Sequence, residues 1–534
     1  IPRPRPDRDS VTRAAELLAS AERPLIISGG GVRYSGAEQA MQAFAQKRGI
    51  PVVETIAGKG ALTHYDPVHA RPIGIVGSTS GNALAEEADV IVAIGTRLQD
   101  FTTGSWTAFS RDARFISINA ARFDATKHRS VAVVGDALET VNELDAALGD
   151  WKAKASRLER AQALFREWDA LLDDHQKPTN ALVATYVQVV NIVNRAAGED
   201  DNLIAAAGGI PGEVAKGWRV KNPNTFDLEF GFSCMGYEIA AGWGNAMANR
   251  GKSTPIVMVG DGTYMMMNSD IYSTVLTGHK MIVIVCDNGG YAVINRLQEF
   301  KGTPGFNCLL KDCRIENPQA PLHVDFVRHA ESMGAYARSC ESLADLEAAL
   351  EWAKGNDRTT VLSIVTDAYA WVPGDADWDV GVPEVSERES VRAARKAHEA
   401  IDHLADETRK HRYRSYLRRR DRHTGQRPAD LGHGLGKVCQ EFSIAPGKDR
   451  LPAGAIGSVF RNDIRQESLS RHDRSGESHS SRPERQVCAN DYTRRRRLLT
   501  RAGAENVDRL RRRQPKHGHR PGSRPGLGTG LGWF

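Results

Sequence analysis

The sequence predicts an α/β fold with two consecutive, doubly wound parallel-sheet domains. Short apolar runs rich in Val and Ile recur along the chain, and stretches with helical periodicity separate them. Runs that are apolar throughout are typical of strands in parallel sheets, because helices cover both faces of such sheets. A chain of 534 residues has room for two such domains and a further segment, at roughly 150 residues per domain.

The first domain is predicted over residues 10–150, after a linker rich in Pro and Arg over residues 1–9. The triplet Gly29-Gly30-Gly31, which follows the first apolar run, could cradle a phosphate. Because it lacks the G-x-G-x-x-G spacing and a well-placed acidic residue for a ribose, we favour a structural, Rossmann-like domain. The pattern predicts helices over about 10–21 and 37–47, and strands over 24–28, 51–54, 90–94, 115–118 and 131–134.

The second domain is predicted over residues 179–370, after a charged helical connector over 151–178 and before an extension over 371–400. It repeats the alternation of apolar runs and helical periodicity seen in the first domain. Its predicted strands are 203–206, 255–259, 281–286 and 360–365, and its predicted helices are about 180–197, 236–248, 269–277 and 342–354.

The net charge of +5 is a sum over two unlike regions. Residues 401–534 contain 30 Lys and Arg against 15 Asp and Glu, a balance of +15, which leaves 41 against 51, or −10, for residues 1–400. We predict that the Arg-rich tail is disordered, because it has too few periodic apolar residues to offset its chain entropy. Its 26 Arg against 4 Lys favour out-of-frame translation of a GC-rich gene as its origin, which an intact frame in the DNA would disprove. The acidic body argues against a nucleic-acid partner.

The cysteines and the apolar runs indicate a cytoplasmic protein that does not enter a membrane. Seven cysteines are scattered without a C-x-x-C pair, so neither a disulfide framework nor a zinc site is predicted. No apolar run approaches the roughly 18 residues that a membrane-spanning helix needs.

Two polar motifs follow neighbouring apolar runs of the second domain. Gly260-Asp261-Gly262 ends one run, and Asp287-Asn288-Gly289-Gly290 ends the next after 24 intervening residues. Open α/β sheets bind their ligands at the carboxyl ends of strands, where both motifs are predicted to lie. Asp261 and Asn288 offer the oxygen ligands that Mg²⁺ prefers, and the glycines allow a diphosphate close to the backbone. Each motif alone is also a common turn, so the prediction depends on their pairing.

Paired in this way, the motifs resemble those of enzymes that use thiamine diphosphate, also called thiamine pyrophosphate. The resemblance implies that Mg²⁺ is bound by Asp261, Asn288 and the backbone carbonyl of Gly290, and that Gly260 and Gly262 lie beside the diphosphate. Residues 230–242 resemble a further stretch of the family, in which Met235 would support the bent cofactor. Met235 as core filler is the alternative. Gly209, in the loop 208–212, is a weaker candidate for the rim of the diphosphate site.

Within that family, three segments look like those of the trihydroxycyclohexane-dione hydrolases, which open a ring in myo-inositol breakdown. The segments are 229–238, 264–269 and 378–386, and residues 53–60 match the central domain of the same enzymes. This resemblance implies hydrolytic cleavage of a carbon–carbon bond in a cyclic polyol 1,2-dione, giving 5-deoxy-glucuronate. It also implies a homodimer or homotetramer, a central Rossmann-like domain over 10–150 and a pyrophosphate-binding domain over 179–370.

The family's activating Glu, which acts on the cofactor's aminopyrimidine ring, belongs to a domain that we do not find in this sequence. No residue here is therefore predicted to be catalytic, and we expect this chain by itself to be inactive. Acetolactate-synthase-like or 2-oxoacid decarboxylase activity is the first alternative, because it uses the same anchoring motifs. The second alternative is a non-catalytic module that binds thiamine diphosphate.

Overall fold

A computed structural model describes residues 2–399, except 180, 315, 318, 320–322, 368 and 379. Within this part of the chain the predicted α/β class is confirmed: two parallel sheets of six strands each are covered by helices on both faces. The tail 401–534, for which we predict disorder, lies outside the described residues. No described helix has the length and apolar character required to cross a membrane.

The first sheet has the strand order β3-β2-β1-β4-β5-β6, and all of its strands are parallel. This order reverses direction between β1 and β4, as in doubly wound sheets. Its strands are β1 (Pro24–Ser28), β2 (Val52–Glu54), β3 (His69–Pro72), β4 (Val90–Ile94), β5 (Arg114–Asn119) and β6 (Val131–Val134). Its helices are α1 (Arg8–Ala19), α2 (Gly30–Tyr34), α3 (Glu38–Arg48), α4 (Thr79–Glu87), α5 (Asp100–Thr103), α6 (Arg122–Thr126) and α7 (Ala137–Ala147).

The second sheet follows the long connecting helix α8 (Ala155–Gln176) and has the parallel order β11-β12-β10-β9-β7-β8. Its strands are β7 (Leu203–Ala205), β8 (Phe226–Leu228), β9 (Ile256–Gly260), β10 (Ile282–Asp287), β11 (Tyr336–Cys340) and β12 (Thr360–Val365). Its helices are α9 (Tyr186–Ala196), α10 (Ile210–Gly217), α11 (Tyr237–Asn249), α12 (Asp261–Met266), α13 (Asp270–Thr277), α14 (Ala292–Phe300), α15 (Phe326–Ser332) and α16 (Leu343–Gly355).

The central strands are apolar throughout because both faces of each sheet are buried. On β10, for example, Ile282 and Ile284 pack into the core on one face, and Val283 and Val285 pack into a separate core on the other. Successive side chains of a strand point to opposite faces, so a strand covered on both sides needs apolar residues at every position. This is the pattern from which the strands were predicted.

Three edge strands, several helices and one helix start differ from the sequence-based expectation, and the helices that were not predicted include α4, α7, α10 and α14. We did not predict β3, β8 and β11, which are short or rich in polar residues. The helix expected from residue 180 begins only at Tyr186, because Thr185 and Gln188 form a capping box that fixes its first turn.

The glycine triplet after β1 packs against the neighbouring strand end. A Cβ atom on Gly29 would lie 2.4 Å from the carbonyl oxygen of Gly95, and one on Gly31 would lie 2.6 Å from its Cα. Gly30 and Gly31 already belong to α2. The close approach of two backbone segments therefore requires these glycines, whether or not a phosphate binds there.

A segment after β12 connects the second sheet to the first domain. The Asn82 amide donates to the carbonyl of Gly374 over 2.8 Å, and the Trp378 indole donates to the Asp100 carboxylate over 3.0 Å. The same segment also contacts the second domain, because its Asp375 carboxylate lies 2.5 Å from the Lys216 ammonium of α10. The segment thus fixes α10, at the rim of the second sheet, against the first domain.

Candidate active site

The two polar motifs lie side by side at the carboxyl edge of the second sheet. β9 and β10 are neighbours, and Gly260 is in register with Cys286. Asp261 begins α12 directly after β9, and Asn288 follows β10 directly. β7 pairs with the other side of β9, so the loop that contains Gly209 reaches the same edge. Parallel strands thus bring together residues that are far apart in the sequence.

Asp261 and Asn288 are in direct contact. The backbone N–H of Asn288 points at Oδ1 of Asp261, with 3.4 Å between nitrogen and oxygen. The Nδ2 atom of Asn288 donates to the hydroxyl of Tyr186 over 2.5 Å. The Oδ1 atom of Asn288 is buried and has no hydrogen-bond partner among the described residues. A buried polar oxygen without a partner is costly, and a bound cation would satisfy it.

The carboxyl of Asp261 lies in an environment that disfavours its charge. Only 6% of the residue is exposed. Burial, reinforced by the nearby carboxylate of Asp287, raises the pKa of Asp261 to about 6. A cation at this position would lower the pKa of Asp261, because an adjacent positive charge favours the ionised form of a carboxyl group.

The glycines of the motifs lie where the chain has little space for side chains. Gly290 has a φ of +139°, and a Cβ atom there would lie 2.4 Å from the carbonyl oxygen of Cys308. On Gly262, a Cβ atom would lie 2.7 Å from the ring of Tyr291. Gly260 borders Asn288 itself, since its Cβ would come within 3.8 Å of Nδ2. The lack of side chains at these positions therefore lets the chain pack closely around both oxygen-bearing side chains.

Gly209 and Met235 lie in two different segments near the polar motifs. Gly209 precedes α10, and a Cβ there would lie 3.3 Å from the ring of Tyr186, the tyrosine that contacts Asn288. Met235 is half-buried in the turn before α11. The next residue, Gly236, has a φ of +97° and would place a Cβ 2.5 Å from the side chain of Met267, just beyond α12. The turn that contains Met235 thus packs against the chain at the end of α12.

Two residues of this edge were not singled out from the sequence. Tyr186 lies 102 residues before Asn288, and nothing in the sequence pairs them. Glu238 was visible as a charge inside an apolar helix, and its Oε2 accepts the backbone N–H of Gly236 over 3.1 Å. Burial raises the pKa of Glu238 to about 7.

The oxygen atoms of this edge suit a hard divalent cation. Asp261 supplies a carboxylate, Asn288 an unpartnered amide oxygen, and Gly290 follows two residues later with a backbone carbonyl. Mg²⁺ takes such ligands and completes its octahedral shell with water or phosphate oxygens. Within the described ranges no cluster of three or more His, Cys, Asp and Glu side chains could hold a metal, so a cation here depends on amide and carbonyl oxygens.

Comparison with known protein families gives two matches, one for each sheet. Residues 11–144 match the family model for the thiamine pyrophosphate enzyme, central domain. Residues 206–364 match the model for the thiamine pyrophosphate enzyme, C-terminal TPP binding domain. The second match contains both polar motifs.

Similar proteins of known name include several 3D-(3,5/4)-trihydroxycyclohexane-1,2-dione hydrolases. The one from Geobacillus thermodenitrificans is 35% identical over 419 residues, which are 74% of this chain and 65% of the relative. Those from Bacillus subtilis and Clostridium botulinum are 34% and 32% identical over 429 and 435 residues, covering 75% and 74% of this chain and 66% of each relative. The chain thus spans 65% to 66% of the length of these relatives.

Proposed function

This chain belongs to the thiamine pyrophosphate enzyme family, and on that premise we propose that it is part of an enzyme that cleaves a carbon–carbon bond in a cyclic 1,2-dione by hydrolysis. The named relatives support this substrate, because they are hydrolases of a trihydroxycyclohexane-1,2-dione. The product expected from such a ring opening is 5-deoxy-glucuronate. The proposed setting is myo-inositol breakdown in the cytoplasm.

In this proposal the carboxyl edge of the second sheet holds Mg²⁺ and the diphosphate of thiamine diphosphate. Asp261, the Oδ1 atom of Asn288 and the carbonyl of Gly290 would bind the metal. Gly260 and Gly262 would leave room for the diphosphate. When bound, the cofactor supplies an electron sink for the carbon–carbon bond that breaks. The observation that carries the proposal is the buried, unpartnered Oδ1 of Asn288 beside the carboxyl of Asp261.

Met235 and the loop at Gly209 would bind the rest of the cofactor. The φ of +97° at Gly236 gives the turn after Met235 a conformation that glycine adopts readily. In the proposal, the half-buried Met235 then supports the cofactor from below, and Gly209 borders the diphosphate. Apolar support and a rim without side chains would orient the cofactor without contributing charge.

Calorimetry tests the binding site. Titrating thiamine diphosphate in the presence of Mg²⁺ should give a binding heat that is lost on replacing Asp261 or Asn288 by Ala. The matched control is Asp357→Ala, because Asp357 is an exposed acid of the same domain that precedes β12, at the opposite edge of the sheet. Equal binding by the wild-type protein and both site variants would refute the proposed site.

A substrate comparison tests the reaction. Protein expressed from its complete reading frame is supplied with Mg²⁺, thiamine diphosphate and either the cyclic dione or pyruvate. Turnover of the dione supports the proposal, and acetolactate or carbon dioxide from pyruvate supports the alternative activities. Binding of the cofactor without turnover of either compound supports a non-catalytic module.

We also propose that the protein works as a homodimer or homotetramer. Large apolar side chains are exposed beside the candidate site: Phe232 is 89% exposed, and Met265, Met266 and Met267 are each 47% exposed. Apolar surface of this kind often marks a protein–protein contact. Sedimentation of the purified protein over a range of concentrations would reveal the assembly, and a monomer throughout would contradict it.

A further inference from the structure

Tyr186 is buried and contacts the candidate metal ligand Asn288. The residue is 1% exposed in α9, and its ring packs edge-to-face on Trp371 with 5.6 Å between centroids. Its hydroxyl accepts a hydrogen bond from Nδ2 of Asn288 over 2.5 Å.

The hydroxyl oxygen of Tyr186 is the acceptor in its contact with Asn288. Nδ2 of an Asn side chain is a donor without lone pairs, so the hydroxyl oxygen accepts its hydrogen over 2.5 Å. The chain just before Asn288 is fixed separately, because the hydroxyl of Thr366 donates to the backbone carbonyl of Asp287 over 3.3 Å.

This contact decides which end of the Asn288 amide faces the site. An Asn side chain has a donor end, NH₂, and an acceptor end, the carbonyl oxygen, and either can point in a given direction. The Tyr186 hydroxyl oxygen accepts from the NH₂ end and so holds that end toward α9. The Oδ1 end is left buried and unpaired among the described residues. The opposite orientation would turn an NH₂ group toward a cation and repel it.

We propose that Tyr186 is a positioning residue that presents the Oδ1 atom of Asn288 to a divalent cation. The inference rests on the proposed function, because that function supplies the cation. Partners that orient a metal ligand in this way affect metal affinity without touching the metal. The substitution Tyr186→Phe removes the hydroxyl and keeps the ring that packs on Trp371.

The test is a double-mutant cycle with Asn288→Asp. A carboxylate presents oxygen in both orientations, so it does not need Tyr186 to choose between its ends. The dissociation constant of Mg²⁺, measured by calorimetry with saturating thiamine diphosphate, should rise about 10–100-fold for Y186F when Asn288 is present. In the N288D background, Y186F should raise it less than about threefold.

Tyr264→Phe is the matched control. Tyr264 is fully buried in the same domain, and its hydroxyl pairs with Nδ1 of His329 over 3.0 Å. Y264F should leave Mg²⁺ affinity unchanged, and urea unfolding without metal should show that both variants are folded. Equal losses of Mg²⁺ affinity from Y186F in the Asn288 and N288D backgrounds would mean that Tyr186 has only a packing role. No loss in either background would mean that the amide of Asn288 needs no partner. Either outcome would overturn the proposal. If the wild-type protein binds no Mg²⁺ with thiamine diphosphate, the proposed function fails, and the inference fails with it.

Discussion

Replacing Glu238 by Gln should stabilise the folded protein at pH 8 and leave it nearly unchanged at pH 5. Glu238 lies in the first turn of α11, and none of the residue is exposed. Its Oε2 accepts the N–H of Gly236, whereas its Oε1 has no hydrogen-bond partner within the described part of the chain. Such a carboxyl is held more easily in its neutral form, and burial raises its pKa from 4.5 to about 7.

The sign of the effect follows from proton binding. Between pH 4.5 and about 7 the folded state keeps the proton of Glu238 and the unfolded state loses it. Stability therefore falls as the pH rises through this window, and the full penalty is present above pH 7. The difference between the two pKa values corresponds to roughly 3 kcal/mol, at about 1.4 kcal/mol per pKa unit. Gln keeps the shape of the side chain and cannot ionise, so it removes the penalty.

Urea unfolding at pH 5 and pH 8, without metal or cofactor, measures this. The quantity to compare is the decrease in the free energy of unfolding from pH 5 to pH 8. We expect this decrease to be smaller in E238Q than in the wild-type protein, by up to about 3 kcal/mol. Burial also raises the pKa of Glu213 to about 7, and that of Asp261 to about 6. Both contribute to the slope of either protein, so the result is the difference between the two slopes.

Glu347→Gln is the control for this comparison. Glu347 is exposed on α16 and pairs with Arg195 at the surface, so its replacement should change the slope little. Equal slopes in the wild-type protein and E238Q would refute the reasoning. A variant less stable than the wild type at pH 8 would also refute it, because that result requires Glu238 to be ionised and stabilised in the folded state.

Three further predictions concern the same domain. Gly290→Ala should lower the free energy of unfolding by about 1–3 kcal/mol more than Gly289→Ala. A Cβ at Gly290 would meet the backbone of Cys308, whereas nothing lies within 4 Å of a Cβ at Gly289. Urea titration of both variants checks this, and equal losses would contradict it. Lys216→Met should cost about 1–3 kcal/mol in the same assay, because it leaves the buried carbonyl of Val372 without its donor and the Asp375 carboxylate with Arg296 alone, 3.6 Å away; an unchanged free energy of unfolding would contradict it. Thiamine diphosphate should bind at least about 100-fold more weakly in EDTA than in Mg²⁺ by calorimetry, a loss of about 3 kcal/mol, and equal affinities would show that the cation is not needed.

The central strands were predictable because burial on both faces leaves a continuous apolar run. Pro24–Ser28, Val90–Ile94 and Thr360–Val365 are strands with the predicted bounds. The local sequence of the edge strand β3, His69–Pro72, is polar and does not indicate a buried strand. The strand can be buried because its charged side chains are paired with distant groups. Arg71, for example, forms an ion pair with Asp169 over 2.5 Å. Such partners cannot be read from a local pattern.

The candidate site was predictable where its residues follow strands directly. Gly260, Asp261 and Asn288 are placed by the sheet itself, because parallel neighbours end at one edge. Tyr186 comes from a helix that packs on the sheet, and its contact depends on how α9 is oriented. A local sequence pattern contains no information about that orientation. Motifs thus identify the candidate ligands, and packing identifies the residues that orient them.

The electrostatics of this edge indicate that the proposed diphosphate site would need a metal. The groups brought together are acceptors: the carboxylates of Asp261 and Asp287, whose proximity helps to raise the pKa of Asp261, and the Oδ1 of Asn288. A diphosphate is itself an anion with acceptor oxygens only, so direct contact would place like charges together at short range in a buried setting. A divalent cation between the two sets of oxygens would turn both repulsions into attractions. On this reasoning the ion that we propose would satisfy the unpaired oxygen of Asn288 and the destabilised charge of Asp261 together.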